Sequence, residues 1–587
     1  MMTKTKKLFS AMLVLLMLTF VVFMTMPTAY AEETTVNFEI KLVHTNDIHA
    51  RVEENADSGI IGAAKLKTIS DSFTENADMS LRIDSGDLFH GLPLATLSNG
   101  ETIARIMKEY RLDVMTPGNH DWSYGKDRLK ELANIAGAEI LAGNVVNSDG
   151  THFFDNDYFI KEVTKDGATL TVGIFGVIDP KLYSSTAPAN VEDLTFTDSA
   201  DYAKKAAAEL KSKGCDIIIA LSHTYLPTEL AAQVDDVDIW LCGHEHINVA
   251  ETVTTPNGGT AYVYEDGYYL HGIGLIDLQC SVNANGEVVG LECERTLAAI
   301  IDPDAAPEYP DDEGVAKLLE DIHSEQDVIM AQYAGTSPAE LDGVWEHLRI
   351  GQTNLGKAIA SAYILETGAD VAFENAGGIR ASIPKGDITY KDIIAVSPYG
   401  NYIVTKQMTG AQIKEMIETV LQIERECIAA NDSGEYDAWP DHSGSYLQFA
   451  GMTVTYDPAL ENGKRIISAK VGGEPLDENK LYTVATNNYV AGSSVFPALA
   501  NANETGEFSA CDTALIRYFE QDASVIEKDI SSLGLIMENT ENTEKSDSTD
   551  KSNPETGIES SAACTAIFFI SVAAILSSRR KQPTSRR

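Results

Sequence analysis

Five apolar runs in the first half of this chain each stop in residues that can hold a metal ion or a phosphate oxygen. "IKLVHTNDIH" ends in Asp47 and His49, "SLRIDSGD" in Asp84 and Asp87, and "LDVMTPGNHD" in Asn119, His120 and Asp121. "DIIIALSH" ends in His223, and "VDIWLCGHEH" in His244 and His246. Short apolar runs closed by glycine and polar turns read as buried strands. Ligand groups collect outside the carboxyl ends of strands in open α/β sheets. The layout that lets five strand ends share one site is a layered α/β domain, and the alternation of short apolar runs with helical stretches such as Ser199–Lys213 places it between about residues 37 and 301.

The residue types narrow the chemistry. Carboxylate, imidazole and amide oxygen without thiolate suit divalent Mn, Fe, Zn or Co better than a soft metal. Asp-x-His and His-x-His put two ligands on the same side of an extended segment. Each motif alone is weak, and a chain with 12 histidines places some of them close together by chance; five in order along one domain are not so easily dismissed. The other histidines (44, 90, 152, 271, 323, 347 and 442) have no such setting and read as surface or core positions, with His90 set apart because it follows Asp87 so closely. No Gly-x-Ser-x-Gly and no P-loop is present, so a metal-activated water needs no protein nucleophile to compete with it.

The order "DIH", "GD", "GNHD", "SH", "GHEH" resembles the calcineurin-like metallophosphoesterase superfamily. The resemblance implies a four-layer α/β/β/α domain that holds two divalent metal ions. One would be bound by Asp47, His49, Asp87 and His246, the other by Asp87, Asn119, His223 and His244, with Asp87 bridging. His120 would stabilise phosphoryl oxygens or protonate the leaving group. In most relatives an Asp three residues after that histidine orients it, whereas this chain has Ser123. Without that carboxylate His120 is expected to be less readily protonated; Asp121 is the nearest replacement in sequence.

At 587 residues the chain needs more than one domain. "DPDAAPEYPDDEG" (302–314) reads as a boundary and Val315–Tyr333 as a connecting helix, with a linker over 302–345 and a second α/β domain over 346–531. There, "ADVAFENAGGIRASIPKGDITYKDIIAVSPYGN" offers an amide and a guanidinium around a glycine turn, and tyrosines with flat faces for stacking. With "QTNLGKAIASA" before it and "YTVATNNYVAG" after it, this resembles the C-terminal domain of the secreted 5′-nucleotidases, a family that includes UDP-sugar hydrolases and 2′,3′-cyclic-nucleotide phosphodiesterases. Carried over by position, Asn375, Gly377, Gly378 and Arg380 would grip the substrate, Tyr399 and Tyr489 would sandwich a base, and Asn401 would assist. The family's downstream Gly-Gly-Asp, whose carboxylate binds ribose, is here "GSSVF" at 492–496. Alternatives to a nucleotide therefore stay open: a sugar nucleotide, a cyclic nucleotide, a non-nucleotide phosphoester, or a surface-binding protein with little turnover.

Charge and ends place the protein. A net charge of −44 disfavours nucleic acid as a partner and would repel a phosphate ester unless cations reverse the local sign. Three lysines, the apolar run Leu8–Thr25 and "PTAYA" read as a secretory signal peptide over residues 1–31. The polar stretch at 537–556 reads as a disordered stalk. At 553–587, "NPETG", an apolar run and "SSRRK" resemble a sortase cell-wall sorting signal, which implies covalent attachment to peptidoglycan through Thr556. A membrane anchor is the alternative, but the apolar run Ala562–Leu576 would span only about 23 Å as a helix, short of a ~30 Å hydrocarbon core. Both readings put the protein outside a Gram-positive cell. Of seven cysteines, Cys280 and Cys293 flank a turn at "NANG" and could pair across a hairpin.

Overall fold

The computed structural model of the chain describes residues 35–299, 309–435 and 438–538. The expected signal peptide and sorting signal lie outside those residues. Among the described residues no helix is long and apolar enough to cross a membrane.

The first domain is built on two six-stranded sheets. In one, the order is Val288–Ala299, Gly272–Val282, Val36–Thr45, Met79–Asp84, Val114–Met115, Glu139–Ile140, and the last four strands run parallel. In the other it is Asn248–Thr254, Thr260–Asp266, Ile239–Gly243, Ile217–His223, Ala168–Ile178, Tyr158–Lys165, with the central four parallel. Strand alternation sends Phe38, Ile40 and Leu42 from one sheet, and Ile217, Ile219 and Leu221 from the other, into a shared apolar layer. The residues between them face outward: Val43 packs beneath helices Ala63–Phe73 and Glu101–Tyr110, and Ile218 and Ala220 beneath Ser199–Ser212. The result is a four-layer α/β/β/α domain. The helix expected at Ser199–Lys213 starts where Asp198 accepts the Asp201 amide, and loses only its last expected residue.

The connecting helix is Glu313–Met330, started by Asp312, whose carboxylate caps the Val315 amide. Its Val315 and Ile322 pack into the first domain's core. Chain beyond it already belongs to the second domain: Tyr333–Ser337 pairs with Gly386–Thr389, and Ala334 and Leu341 join that domain's core. The expected linker is thus too long at its C-terminal end. The second domain carries a five-stranded sheet, Leu447–Ala450, Val371–Asn375, Leu481–Asn487, Tyr402–Thr409, Asn503–Ala510, flanked by helices Asn354–Thr367 and Gly410–Ser433. Its end also differs from expectation. Leu535–Met537 pairs in parallel with Met452–Tyr456, so ordered chain runs past residue 531 and into what reads as stalk, because three consecutive apolar residues find a sheet edge.

Cys280 and Cys293 are both free. They do lie on adjacent antiparallel strands, but the register sets Cys280 opposite Leu291 and Cys293 opposite Leu278, so the pair is diagonal rather than facing.

Candidate active site

The carboxyl ends of the parallel strands in both sheets converge on one spot. The loop after Val36–Thr45 is stitched to the loop after Met79–Asp84: the amides of Asp47, His49 and Ala50 donate to the carbonyls of Gly86, Asp87 and Leu88. The backbone here is unusual. Asp47, His49, Asp87, His244 and His246 all have positive φ, from 47° to 96°. Side chains other than glycine rarely take that conformation, and a cluster of such residues is characteristic of functional sites.

Three groups of donor atoms lie within 4.8 Å of one another: Asp47, His49 and His246; Asp87, His223 and His244; and His49, Asp87 and His120. Asp47 Oδ2 is tied down by the His244 amide (2.9 Å) and Asn46 Nδ2 (2.7 Å). Its Oδ1 is left 3.2 Å from His246 Nε2. Asp87 Oδ1 accepts the His120 amide (2.8 Å), while Oδ2 stands between His49 Nε2 (3.5 Å) and His223 Nε2 (3.4 Å). His223 Nδ1 donates to the Ser85 carbonyl (2.8 Å), which turns Nε2 inward.

These residues fit a pair of cations. Asp47 Oδ1 and His223 Nε2 are buried with no hydrogen-bond partner. His49 Nε2 and His246 Nε2 face each other at 3.3 Å. Burial opposes charge on His223, but the Asp87 carboxylate beside it raises it to about 10. Burial likewise pushes Asp87 up, yet His223 and His120 draw it well below the usual carboxylate range. Cations held there would take the place of protons on these groups.

His120 is buried. Burial holds it below the ordinary imidazole range against the pull of Asp87, and Ser123 contributes no side-chain charge; its carbonyl accepts Asn190 Nδ2 (3.0 Å). Asp121 does not replace the missing orienting carboxylate. Both of its oxygens are spent on backbone amides: Oδ1 accepts from Leu88 and Phe89, Oδ2 from Asp87 and Gly118. It holds the Asp87 loop, a role the motif alone does not reveal. His90 stacks on His120 with ring centres 5.6 Å apart. His152, His323, His347 and His442 pair with carboxylates away from the metal-ligand groups, whereas His44 pairs with Asp266 just behind them and meets Ser85 Oγ at 2.9 Å.

A second feature is a cavity of about 470 Å³ lined by Asn375, Gly377, Gly378, Tyr399, Asn401 and Tyr489, which sequence reasoning singles out, together with Arg51, Asp441, Gly444 and Ser445. Tyr399 and Tyr489 are 45% and 65% exposed, unusual for large rings. Arg380 is not brought to this cavity; it is exposed, with its guanidinium 3.5 Å from the Gly377 carbonyl. The arginine present is Arg51 of the first domain, stacked 3.5 Å above Tyr269. Asp441, the one carboxylate among the described lining residues, also borders an adjoining pocket with Ser493 and Ser494.

Residues 40–248 match the calcineurin-like phosphoesterase model, and residues 333–501 match the C-terminal domain of 5′-nucleotidase. The chain is 26% identical to protein UshA of Escherichia coli over 550 residues, covering 85% of this chain and 94% of that one. It is 25% identical over 515 residues to the trifunctional nucleotide phosphoesterase YfkN of Bacillus subtilis, covering 80% of this chain but spanning only 33% of that longer protein. The Haemophilus influenzae NAD nucleotidase shares the fold, with a TM-score of 0.65 at 21% identity over 85% of this chain and 97% of that one. The chain thus carries a calcineurin-like phosphoesterase domain, with the Asp/His clusters at its strand ends, followed by a 5′-nucleotidase C-terminal domain.

Proposed function

We propose that the protein is a metal-dependent phosphoric ester hydrolase of 5′-nucleotidase type that releases phosphate from nucleotides outside the cell. The observation that carries this is the pair of Asp/His clusters sharing Asp87, with buried ligand atoms left without hydrogen-bond partners and His120 beside them. Two divalent cations bound there supply a water acidic enough to be hydroxide near neutral pH and offset the charge of the phosphoryl group. The chain's residues do the rest. Asp47, His49, Asp87 and His246 hold one ion; Asp87, Asn119, His223 and His244 hold the other. His120 donates to a phosphoryl or leaving oxygen.

Tyr399 and Tyr489 present faces on which a base stacks, and Asn375, Gly377, Gly378 and Asn401 complete the wall. Arg51 supplies the cation there; Arg380 reaches the substrate only if it turns inward. The loop at 492–496 has no carboxylate, and Asp441 nearby is the acceptor for ribose hydroxyls. The work is divided between the first domain, expected over 37–301, and the second, expected over 346–531 and extended by Tyr333–Ser337 and Leu535–Met537. Signal peptide and sorting signal support export and covalent attachment to peptidoglycan at Thr556.

Phosphate release should be measured with Mn²⁺ on AMP, ADP, UDP-glucose, 2′,3′-cyclic AMP and an aryl phosphate, adding a phosphomonoesterase for the last steps of diester cleavage. AMP or ADP is expected to be preferred. His120→Ala should lower kcat by about 10²–10⁴-fold, the usual worth of a general acid. Equal rates on all esters would remove the nucleotide assignment while keeping the chemistry, and no release from any of them would remove both.

A further inference from the structure

Glu507 lies on the strand Asn503–Ala510 of the second domain, yet its carboxylate reaches the metal-ligand loops of the first. Oε2 accepts Asn119 Nδ2 at 3.1 Å and stands 3.2 Å from His120 Nε2. The residue is 9% exposed. On the paired strand Tyr402–Thr409, the Tyr402 ring meets His120 edge-on with centres 4.3 Å apart, so this edge of the second domain closes over the same histidine.

The donors that Glu507 engages are the ones a phosphoryl group needs. An amide N–H and an imidazole nitrogen meet the same thing in a carboxyl group and in a phosphate ester: a compact oxygen that accepts hydrogen bonds. Both groups cannot take that place together. The other polar neighbour of Glu507 is Glu504, a like-charged group on the same strand that shares a side-chain hydrogen bond with it, while Lys406 Nζ lies 3.8 Å from Glu504. A buried carboxylate without donors is costly, so withdrawing Glu507 from Asn119 and His120 means moving this edge of the second domain or swinging the side chain to solvent.

We propose that Glu507 is an internal competitor for the phosphoryl site, an autoinhibitory carboxylate that substrate or product phosphate must displace before binding. This rests on the hydrolase reading above. Its consequence is a shared pre-equilibrium: every phosphate ligand pays the same factor, because only the fraction of molecules with Glu507 withdrawn can bind. Removing the carboxylate lowers apparent dissociation constants together and leaves the chemical step alone, since Glu507 is not needed once the phosphoryl group is in place.

The test uses the full chain loaded with Mn²⁺, the parent beside Glu507→Ala and the isosteric Glu507→Gln, with thermal melting to check that each folds. Binding of inorganic phosphate is measured by calorimetry and AMP hydrolysis by initial rates. In Glu507→Ala, the phosphate Kd and the KM for AMP should both fall by about tenfold or more, by the same factor, with kcat within about twofold of the parent. Glu507→Gln should move the same way by less. Unchanged or weaker phosphate binding overturns the proposal. So does a fall in kcat at constant KM, which would make Glu507 a positioning residue for His120. Tighter phosphate binding in a protein that hydrolyses none of the esters would uphold Glu507 as competitor and overturn the hydrolase; hydrolysis without tightening would do the reverse.

Discussion

Replacing Asp121 should damage the fold before it damages the chemistry. Its carboxylate is fully buried and accepts four backbone amides, from Asp87, Leu88, Phe89 and Gly118, at 2.8–2.9 Å. A buried donor left without an acceptor costs roughly 1–3 kcal/mol, so Asp121→Ala, with four stranded amides, should cost about 4 kcal/mol at the lower limit. Asp121→Asn keeps one carbonyl oxygen for two of them but points an NH₂ at the other two, which predicts a loss of at least about 2 kcal/mol. Those amides carry the loop that presents Asp87, so Mn²⁺ affinity should fall with stability. Urea denaturation of the metal-free protein and calorimetric Mn²⁺ titration read the two effects. If Asp121 instead oriented the His120 ring, Asp121→Ala would lower kcat and leave the denaturation midpoint in place. A variant within about 1 kcal/mol of the parent, with unchanged metal binding, would refute the argument from the four amides.

Three further outcomes are expected. A Cβ on Gly118 would lie 2.1 Å from Asp87 Oδ1 and 2.5 Å from the Asp87 amide nitrogen, so Gly118→Ala must displace the Asp87 carboxylate; Mn²⁺ affinity should drop by about 10–100-fold, read by titration. Asp441→Asn should raise KM for AMP by about tenfold, the worth of a charge-assisted hydrogen bond, with a smaller change for 2′-deoxy-AMP; equal effects on both would remove Asp441 from the ribose. Burial lifts Glu424 to about 7 from an ordinary 4.5, against hydrogen bonds from Tyr456 and Tyr446. The folded state therefore holds a proton that the unfolded state has released. This stabilisation is complete below about pH 4.5 and is lost as pH rises through about 7, amounting to at most about 3 kcal/mol. Melting temperature followed from pH 4.5 to 8 should fall less steeply in Glu424→Gln.

Much of this protein is local and was readable in the chain. The ligand residues stand immediately after apolar runs, and strands that must bury both faces leave polar groups only at their ends, so "DIH", "GNHD" and "GHEH" announce their place in a sheet. Helix starts are local too: Asp198 and Asp312 cap amides three residues on. The cavity-lining Tyr399 and Tyr489 come from the family resemblance carried over by position, not from a local pattern. What the chain alone could not decide depends on partners far apart in sequence. Asp121 reads as a companion of His120 one residue away, yet packing commits it to amides 32–34 residues earlier. Arg380 sits in the motif while Arg51, more than 300 residues away, lines the cavity, because a cavity wall shared by two domains is set by how their surfaces meet. The same is true of Glu507 against Asn119 and His120, 388 residues apart in the first pair. Strand periodicity and capping carry no information about such contacts; only the packing of the second domain over the first brings the carboxylate to the donors.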